Sequence, residues 1–333
     1  MNNLLLYSDL HINLVSLKEC ILILEEIGIL ANKYNVDTLI NLGDTFDGLK
    51  PSSSEMDVFA TFIRRLGNHK KHIIISAQSH ESETKEISVL NHYGILSDNV
   101  QIVKEYKDGN HLYCGHFSIK ESINNYGAKL SKEDLKNYVY VFLGHVHSYQ
   151  IIKPNICHLG SSRYVSFDEA KDKQKVIAII EDYNGDKESV HFLKLKSPIP
   201  MVQLELGKKT VLGGSKDTSE AEIALPQGSD KANSRQFNGI SAIIPFLDNL
   251  DPKNKVKIKI LDFESFRQFL PLCSKYSTKF ETFKYETYFD VIKDLAPNSV
   301  KKEIINFKES LMIWLRNQNV DEKIKDILQK EIE

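Results

Sequence analysis

Short apolar runs that end in aspartate, histidine, glycine or serine recur along the first half of the chain, and they constrain its fold most strongly. Residues 4–7 form such a run and lead into Ser8-Asp9. A helical pattern follows up to Ile27, and a second apolar run covers 38–41. Strands alternating with amphipathic helices are typical of a layered α/β domain. Because loops at strand ends carry the chemistry of such folds, we expect functional residues there.

Five segments place possible metal ligands at the ends of predicted strands. They are Asp9-Leu10-His11, Gly43-Asp44, Ser79-His80-Glu81, Gly115-His116 and Gly144-His145-Val146-His147. Each segment alone is a weak signal, since a single Gly-Asp is commonly a turn. The His-x-His segment is stronger, because two imidazoles on alternate residues converge only where the backbone aims them. Five of the eleven histidines fall in this set, which favours a metal site over coincidence.

The donor types indicate which ions and which chemistry suit the site. Mixed carboxylate and imidazole ligands favour Mn, Fe or Zn, whereas Mg and Ca prefer oxygen alone. A carboxylate such as Asp44 can bridge two ions about 3.5–4 Å apart. Two such ions lower the pKa of a shared water and neutralise charge on a phosphoryl group. The pattern therefore predicts phosphoester hydrolysis without a protein nucleophile.

The ordered segments resemble the calcineurin-like metallophosphoesterases, whose blocks read D-x-H, G-D, G-N-H-[DE], G-H and G-H-x-H. The resemblance implies a four-layer α/β/β/α sandwich with a small α+β capping domain and C-terminal helices. It also implies two metal sites. The first would be held by Asp9, His11, Asp44 and His147. The second would share Asp44 and add His116 and His145, while His80 would stabilise the transition state or protonate the leaving oxygen.

The third block departs from the family pattern. Ser79 stands where an asparagine is expected, so we predict a more weakly held second metal with Ser79 as a poor ligand. Gly67-Asn68-His69 does spell the motif, but it precedes the strand predicted at 72–76. We interpret Gly67 as a helix C-cap and assign the site to Ser79 and His80.

Three further segments are similar to the SbcD-type DNA-repair nucleases, including those of large phages. They are Gly43-Asp44-Thr45-Phe46-Asp47, the run from His158 to Ala170 with Arg163 near the metal side, and Lys196-Ser197-Pro198-Ile199-Pro200-Met201. This resemblance implies a manganese-dependent nuclease acting on DNA, as a 3′-to-5′ exonuclease on duplex ends and an endonuclease on single strands. It also implies a homodimer that binds an SMC-like ATPase of the SbcC/Rad type.

Changes in composition and hydrophobic pattern along the chain predict three regions. Residues 1–197 form the phosphoesterase domain, and 198–290 form the capping domain with an irregular insertion at about 207–240. Residues 291–333 form two amphipathic helices, which the resemblance assigns to docking on the ATPase coiled coil. Within the capping domain, 255–260 alternates strictly as a half-exposed strand. Its lysines either form a basic stripe near phosphate or face solvent.

The composition bears on how the chain could bind nucleic acid and on its cellular compartment. The net charge of −2 excludes a grip on nucleic acid by overall charge, so any DNA contact needs local patches, metals or a partner. Four scattered cysteines suit a reducing cytoplasm, and we expect neither a signal peptide nor a membrane span. Two alternatives stay open. One is another phosphodiesterase or phosphatase on the same metal core, and the other is a non-catalytic DNA-binding scaffold for an ATPase.

Overall fold

The protein, represented by a computed structural model, is described over residues 2–67, 69–76, 89–125, 128–207, 234–261 and 263–287. It is a mixed α/β protein, which confirms the predicted class. The strands are β1 (Leu4–Tyr7), β2 (Thr38–Asn41), β3 (Lys71–Ile75), β4 (Val100–Val103), β5 (Tyr106–Asp108), β6 (Leu112–His116), β7 (Tyr140–Gly144), β8 (Gln150–Lys153), β9 (Ile156–His158), β10 (Val176–Glu181), β11 (Ser189–Lys194), β12 (Met201–Leu206), β13 (Ser234–Phe237), β14 (Lys255–Ile260) and β15 (Thr282–Thr287). The helices are α1 (Leu17–Lys33), α2 (Ser53–Leu66), α3 (Asn91–Leu96), α4 (Ile240–Asn249), α5 (Phe263–Phe269) and α6 (Cys273–Lys279), with 3-10 turns at Phe167–Lys171 and Leu270–Leu272.

The first sheet has the strand order β11-β10-β1-β2-β3-β4. Strands β1 to β4 run parallel, and β10 joins β1 in antiparallel pairing. Helices α1 and α2 cover one face, where Ile23 and Phe59 are fully buried with Tyr7 and Leu39. Burying such side chains contributes roughly 1.5–3 kcal/mol each, so this layer is a large part of the core.

The second sheet has the order β5-β6-β7-β9-β8 and packs against the other face of the first. Leu6 and Ile40 of the first sheet share a core with Cys114 and Phe142 of the second. The outer face of the second sheet is covered by turns within 117–125 and 128–138. Within the described residues this outer layer is therefore not helical, unlike the fourth layer of the expected α/β/β/α sandwich.

The two packed sheets bring the ends of four strands to one place. Strand β1 is parallel to β2 in the first sheet, and β6 is parallel to β7 in the second. Parallel neighbours end at the same edge of a sheet. The Nδ1 atom of His116, at the end of β6, lies 2.8 Å from the carbonyl oxygen of Leu42, just after β2. The strand ends of both sheets are thus in direct contact.

A third sheet, in the order β13-β12-β14-β15, begins after the Ser197–Pro200 link. All its pairings are parallel, and helices α4 to α6 connect its strands. Parallel strands joined by helices make this module α/β in the described residues, rather than the α+β capping domain that we expected. Residues 234–237 lie inside the stretch predicted to be irregular, yet they form β13, because pairing with β12 supplies the backbone partners that their polar sequence does not predict.

Buried charges join this module to helix α1. Glu19 accepts hydrogen bonds from the Lys255 ammonium at 2.5 Å and the backbone N–H of Ile199 at 2.8 Å. Two residues further along the same face of the strand, Lys257 pairs with Glu286 at 2.8 Å. Two of the three lysines of this strand are therefore paired with carboxylates, which argues against a free basic stripe near phosphate.

Several predictions concern residues outside the described ranges. These are Ser79, His80, most of the insertion at 207–240 and the whole C-terminal region 291–333. The proposed domain boundaries stay predictions. Within the described part of the chain, no helix has the length and apolar character that crossing a membrane requires.

Candidate metal centre

The Asp9–His11 turn follows β1 and has an unusual backbone. Both Asp9 and His11 have positive φ, at 49° and 45°, a conformation that costs residues other than glycine about 1–3 kcal/mol. Hydrogen bonds to the neighbouring turn compensate, from Asp9 N to Gly43 O at 3.1 Å and from His11 N to Asp44 O at 2.9 Å. The turn is therefore held in place by the loop that carries the next candidate ligand.

Arg163 holds this turn in place through hydrogen bonds to its backbone. Its guanidinium donates to the carbonyl oxygens of Leu10 at 2.7 Å and His11 at 2.8 Å, and the residue is 3% exposed. We expected Arg163 near the metal side as a basic group. It is close to the site, but its donors are directed at the backbone, so its role in the structure is to position His11.

The Gly43-Asp44 turn repeats this design at the end of β2. Gly43 has φ 110° and Asp44 has φ 47°, and the side chain of Asn41 accepts from Gly43 N at 3.1 Å. Asp44 is buried, with 1% of its surface exposed. Its carboxylate lies 3.4 Å from His11 Nε2 and 3.3 Å from His116 Nε2. Asp44 thus lies between the two predicted ligand sets.

Gly144 is required by close packing at the end of β7. A Cβ atom there would lie 2.6 Å from Ser8 Oγ, 2.7 Å from His116 Nδ1 and 2.7 Å from Leu42 O. The next residue, His145, has φ 77°, and its N–H donates to both carboxylate oxygens of Asp9 at 3.1 and 3.2 Å. Hydrogen bonds therefore run between the turns after β1 and β7, which belong to different sheets.

The side chains of Asp9, His11, Asp44 and His147 converge. Each offers a ligand atom, and these atoms lie within 4.8 Å of one another. This cluster could hold a metal ion, and its members are the four residues expected at the first metal. His147 Nε2 lies 3.8 Å from Asp9 Oδ1, and only 3.1 Å from His11 Nε2.

The other nitrogen of each of these two imidazole rings, Nδ1, is held by a carboxylate. His11 Nδ1 lies 3.2 Å from Asp47 Oδ1, and His147 Nδ1 lies 3.0 Å from Glu169 Oε1. An ionised carboxylate only accepts, so each Nδ1 carries a hydrogen, and the Nε2 atom of each ring is left as the atom that can bind a metal. A metal ion placed between these two Nε2 atoms and the carboxylates of Asp9 and Asp44 would have ligand atoms on every side.

The predicted second set is partly assembled in the described residues. The ring of His145 lies 5.3 Å from that of His116, and His116 is buried. Burial disfavours the charged His116 ring, but its contact with Asp44 and the charges of Asp9 and Asp44 outweigh this and raise its pKa from 6.5 to about 9. Burial and the charge of His116 lower the pKa of His145. His116 Nε2 makes no well-aligned hydrogen bond to any described residue, although Asp44 is near. A cation bound there would replace the proton, and this donor set fits it.

Three supporting residues were missed by sequence reasoning as parts of the site. Asp47 and Glu169 hold the rings of His11 and His147, and Lys175 holds Glu169. Burial raises the pKa of Glu169, but His147 and Lys175 outweigh this and lower it to about 2. Asp47 and Glu169 lie in two of the segments quoted above, but the local pattern there, such as the capping-box spacing of Ser166 and Glu169, indicates only a turn.

Gly67, the first residue of the Gly67-Asn68-His69 segment, is placed as expected. Gly67 follows the last residue of α2 with φ 79°, and its N–H donates to Arg64 O at 3.2 Å. It precedes β3, whereas the candidate ligands follow the carboxyl ends of their strands. Gly67 is therefore the predicted helix C-cap. Ser79 and His80, to which the third block was assigned, lie outside the described residues.

Comparisons with known proteins give little further information. No protein-family model matches the chain, and no curated protein matches it. Among solved structures the chain is similar to the nuclease MPE of Pseudomonas putida, with 14% identity and a TM-score of 0.31. The match covers 57% of this chain and 87% of that one. A TM-score this low carries no argument, so the geometry of the cluster must support any functional conclusion.

Proposed function

We propose that this protein is a metal-dependent phosphoesterase with a two-metal centre. The observation that carries the proposal is the pair of imidazole Nε2 atoms, from His11 and His147, that face each other at 3.1 Å beside Asp9 and Asp44. Both rings are held from behind by carboxylates. A site of this kind binds a divalent cation of the Mn, Fe or Zn type.

Each residue then has a defined task. Asp9, His11, Asp44 and His147 hold the first ion. Asp44 also faces His116, which with His145, and with Ser79 outside the described residues, would hold the second. Two bound ions would activate a water and neutralise the charge that develops on a phosphoryl group. The protein supplies rigid placement, since the turns that carry the ligands are joined by hydrogen bonds. His80 is proposed as the proton donor to the leaving oxygen.

We further propose that the substrate is DNA and that the protein is the nuclease subunit of an SbcD-type complex. The support is the resemblance of three segments to that family. Phe46 of the first segment is buried in the core, and Asp47 contacts His11. Arg163 and Glu169 of the second segment hold the site as described above. These residues support the metal centre and do not by themselves select DNA. Manganese, the homodimer and the SMC-like ATPase partner belong to the same proposal.

Cleavage assays with manganese test the proposal on two substrates, end-labelled DNA and bis-p-nitrophenyl phosphate. We expect the wild type to cleave both and Asp44→Asn to lose more than about 100-fold of the activity, since supporting residues alone typically cost 10–100-fold. His80→Ala should lose cleavage while retaining metal and DNA binding. Asp108→Asn is a matched control, because that carboxylate instead accepts from the Tyr183 hydroxyl at 2.8 Å.

The outcomes separate the alternatives. Cleavage of the small ester without DNA would support another phosphodiesterase on the same core. DNA binding without cleavage of either substrate, unchanged in Asp44→Asn, would support the scaffold. Absence of manganese binding would overturn the metal centre itself.

A further inference from the structure

A run of buried charged groups lies behind His147. Glu169 Oε1 is 3.0 Å from His147 Nδ1, and the other carboxylate oxygen, Oε2, accepts from the Lys175 ammonium at 2.5 Å. Lys175 also donates to Asp172 Oδ2 at 2.9 Å and to the backbone carbonyl of His147 at 3.1 Å. Lys175 is 3% exposed and Glu169 is 4% exposed. Both ends of His147, the ring and the backbone, are therefore held by this group.

Burial of these charges is costly and calls for an explanation. Removing an ammonium or a carboxylate from water costs several kcal/mol per ion, and their attraction offsets this only with good geometry and further hydrogen bonds. Here both conditions are met. Ser161 Oγ donates to Glu169 Oε2 at 2.9 Å, and Lys175 balances the nearby carboxylates of Glu169 and Asp172. Apolar side chains of similar volume at these positions would stabilise the fold equally well. They would form no hydrogen bond to His147.

Glu169 differs from the carboxylate behind the other central imidazole. Asp47, which contacts His11, has a side chain that is 47% exposed, whereas the Glu169 side chain is 5% exposed. Water competes for Asp47 but is excluded from Glu169. The Glu169 carboxylate also accepts from the N–H groups of Val165 at 3.2 Å and Ser166 at 3.0 Å, so its position is set independently of His147.

We propose that Glu169 and Lys175 are positioning residues that set the tautomer and orientation of His147 for metal binding. Glu169 keeps the hydrogen on Nδ1, so the Nε2 lone pair faces Asp9 and His11. Lys175 keeps Glu169 in place and holds the His147 carbonyl. This inference rests on the proposed metal centre, yet it makes a claim about the metal-free protein that can be measured separately.

The first measurement is the tautomer of His147 in the metal-free full-length protein, from the nitrogen-15 shifts of its ring. Burial disfavours the charged ring, but the contact with Glu169 and the charge of Asp9 outweigh this and raise the pKa of His147, so the shifts are read at a pH at which the ring carries a single hydrogen. We expect the hydrogen on Nδ1 in the wild type, and a mixture of tautomers in Glu169→Gln, because an amide can donate as well as accept. A wild-type ring that carries its hydrogen on Nε2 would overturn the proposal without reference to any variant.

The second measurement is manganese affinity by calorimetry. We expect Glu169→Gln and Lys175→Met to bind manganese about 10–100-fold more weakly than the wild type, the usual cost of losing a partner behind a metal-bound histidine. Glu188→Gln is the matched control, because Glu188 forms a similar pair with His111 Nε2 at 2.8 Å in another part of the fold. It should bind manganese within about twofold of the wild type.

Failure of this inference is distinguishable from failure of the proposed function. If Glu169→Gln weakens manganese binding but the wild type cleaves no phosphoester, the positioning role stands and the proposed enzymatic function does not. If the wild type cleaves DNA but both variants keep the wild-type manganese affinity and His147 tautomer, the enzymatic function stands and the positioning role is refuted. If the variants fail to fold, the tautomer of the wild type still decides.

Discussion

His72 makes the stability of the phosphoesterase domain sensitive to acid. The ring is buried at 2% exposure among Tyr7, Phe59 and Phe62, with ring centroids 5.7–5.9 Å away. Its Nε2 lies 2.7 Å from the Tyr7 hydroxyl, and its Nδ1 has no hydrogen-bond partner in the described residues. Burial lowers the pKa of His72 from 6.5 to about 3. The folded protein therefore keeps this ring neutral over the whole range in which free histidine titrates.

The sign of the effect follows from proton linkage. Below pH 6.5 the unfolded chain binds a proton at His72 and the folded protein does not. The free energy of unfolding therefore falls as pH decreases from about 6.5 and stops falling near the folded pKa of about 3. Between pH 8 and pH 5 the difference spans roughly 1.5 pH units at about 1.36 kcal/mol each, which gives about 2 kcal/mol.

Urea unfolding of the wild type and His72→Gln at pH 8 and pH 5 measures this term. The glutamine amide can keep the hydrogen bond to Tyr7 but cannot titrate. Chelator in both buffers removes any contribution from metal, and other titrating groups cancel because both proteins share them. We expect the wild type to lose about 2 kcal/mol more than the variant over this range. Equal losses, or a His72 ring that titrates near pH 6.5 by NMR in the folded protein, would refute the reasoning.

Two other substitutions test the packing of the site and the junction between the third sheet and helix α1. Gly144→Ala should weaken manganese binding and lower the free energy of unfolding by about 1–3 kcal/mol, because its Cβ has no room; calorimetry and urea unfolding check this. Gly48→Ala, which meets nothing within 4 Å, should leave manganese affinity unchanged. Lys255→Met leaves the buried Glu19 carboxylate without its cation and should cost about 3–5 kcal/mol in thermal unfolding. Arg65→Met breaks an exposed pair and should cost less than about 1 kcal/mol, so similar costs for the two would contradict the burial argument.

The elements that the sequence predicts best are those in which one local pattern decides the structure. Strands β1 and β2 have the predicted bounds of residues 4–7 and 38–41, because short apolar runs enter a sheet that is buried on both faces. Strand β14 has the predicted bounds of 255–260, because strict alternation suits a sheet with one buried face. Strand β13 was missed, since its sequence, Ser-Arg-Gln-Phe, has little strand character apart from its pairing with β12.

The candidate ligands were accessible to sequence reasoning for a similar reason. Asp9, His11, Asp44 and His147 each lie within four residues of the end of a strand, and parallel strands end at one edge. Their supports were not accessible in this way. Glu169 is 22 positions from His147, and nothing in the intervening residues indicates that the two side chains meet. Only the path of the chain through β8 and β9 and the turn after it brings them together.

Backbone strain adds an independent argument that this cluster is a functional site. Four of the seven non-glycine residues with positive φ in the described ranges are Asp9, His11, Asp44 and His145. Each such conformation costs about 1–3 kcal/mol, and it persists only where the surrounding structure determines it. The hydrogen bonds between the turns fix these conformations. Turns made of glycine and asparagine could form the same hydrogen bonds without strain. The chain instead places buried carboxylates and imidazoles there, a combination that destabilises the metal-free protein. A bound cation would compensate the strain and the charge together, whereas a passive scaffold would need neither the strained turns nor the buried charges.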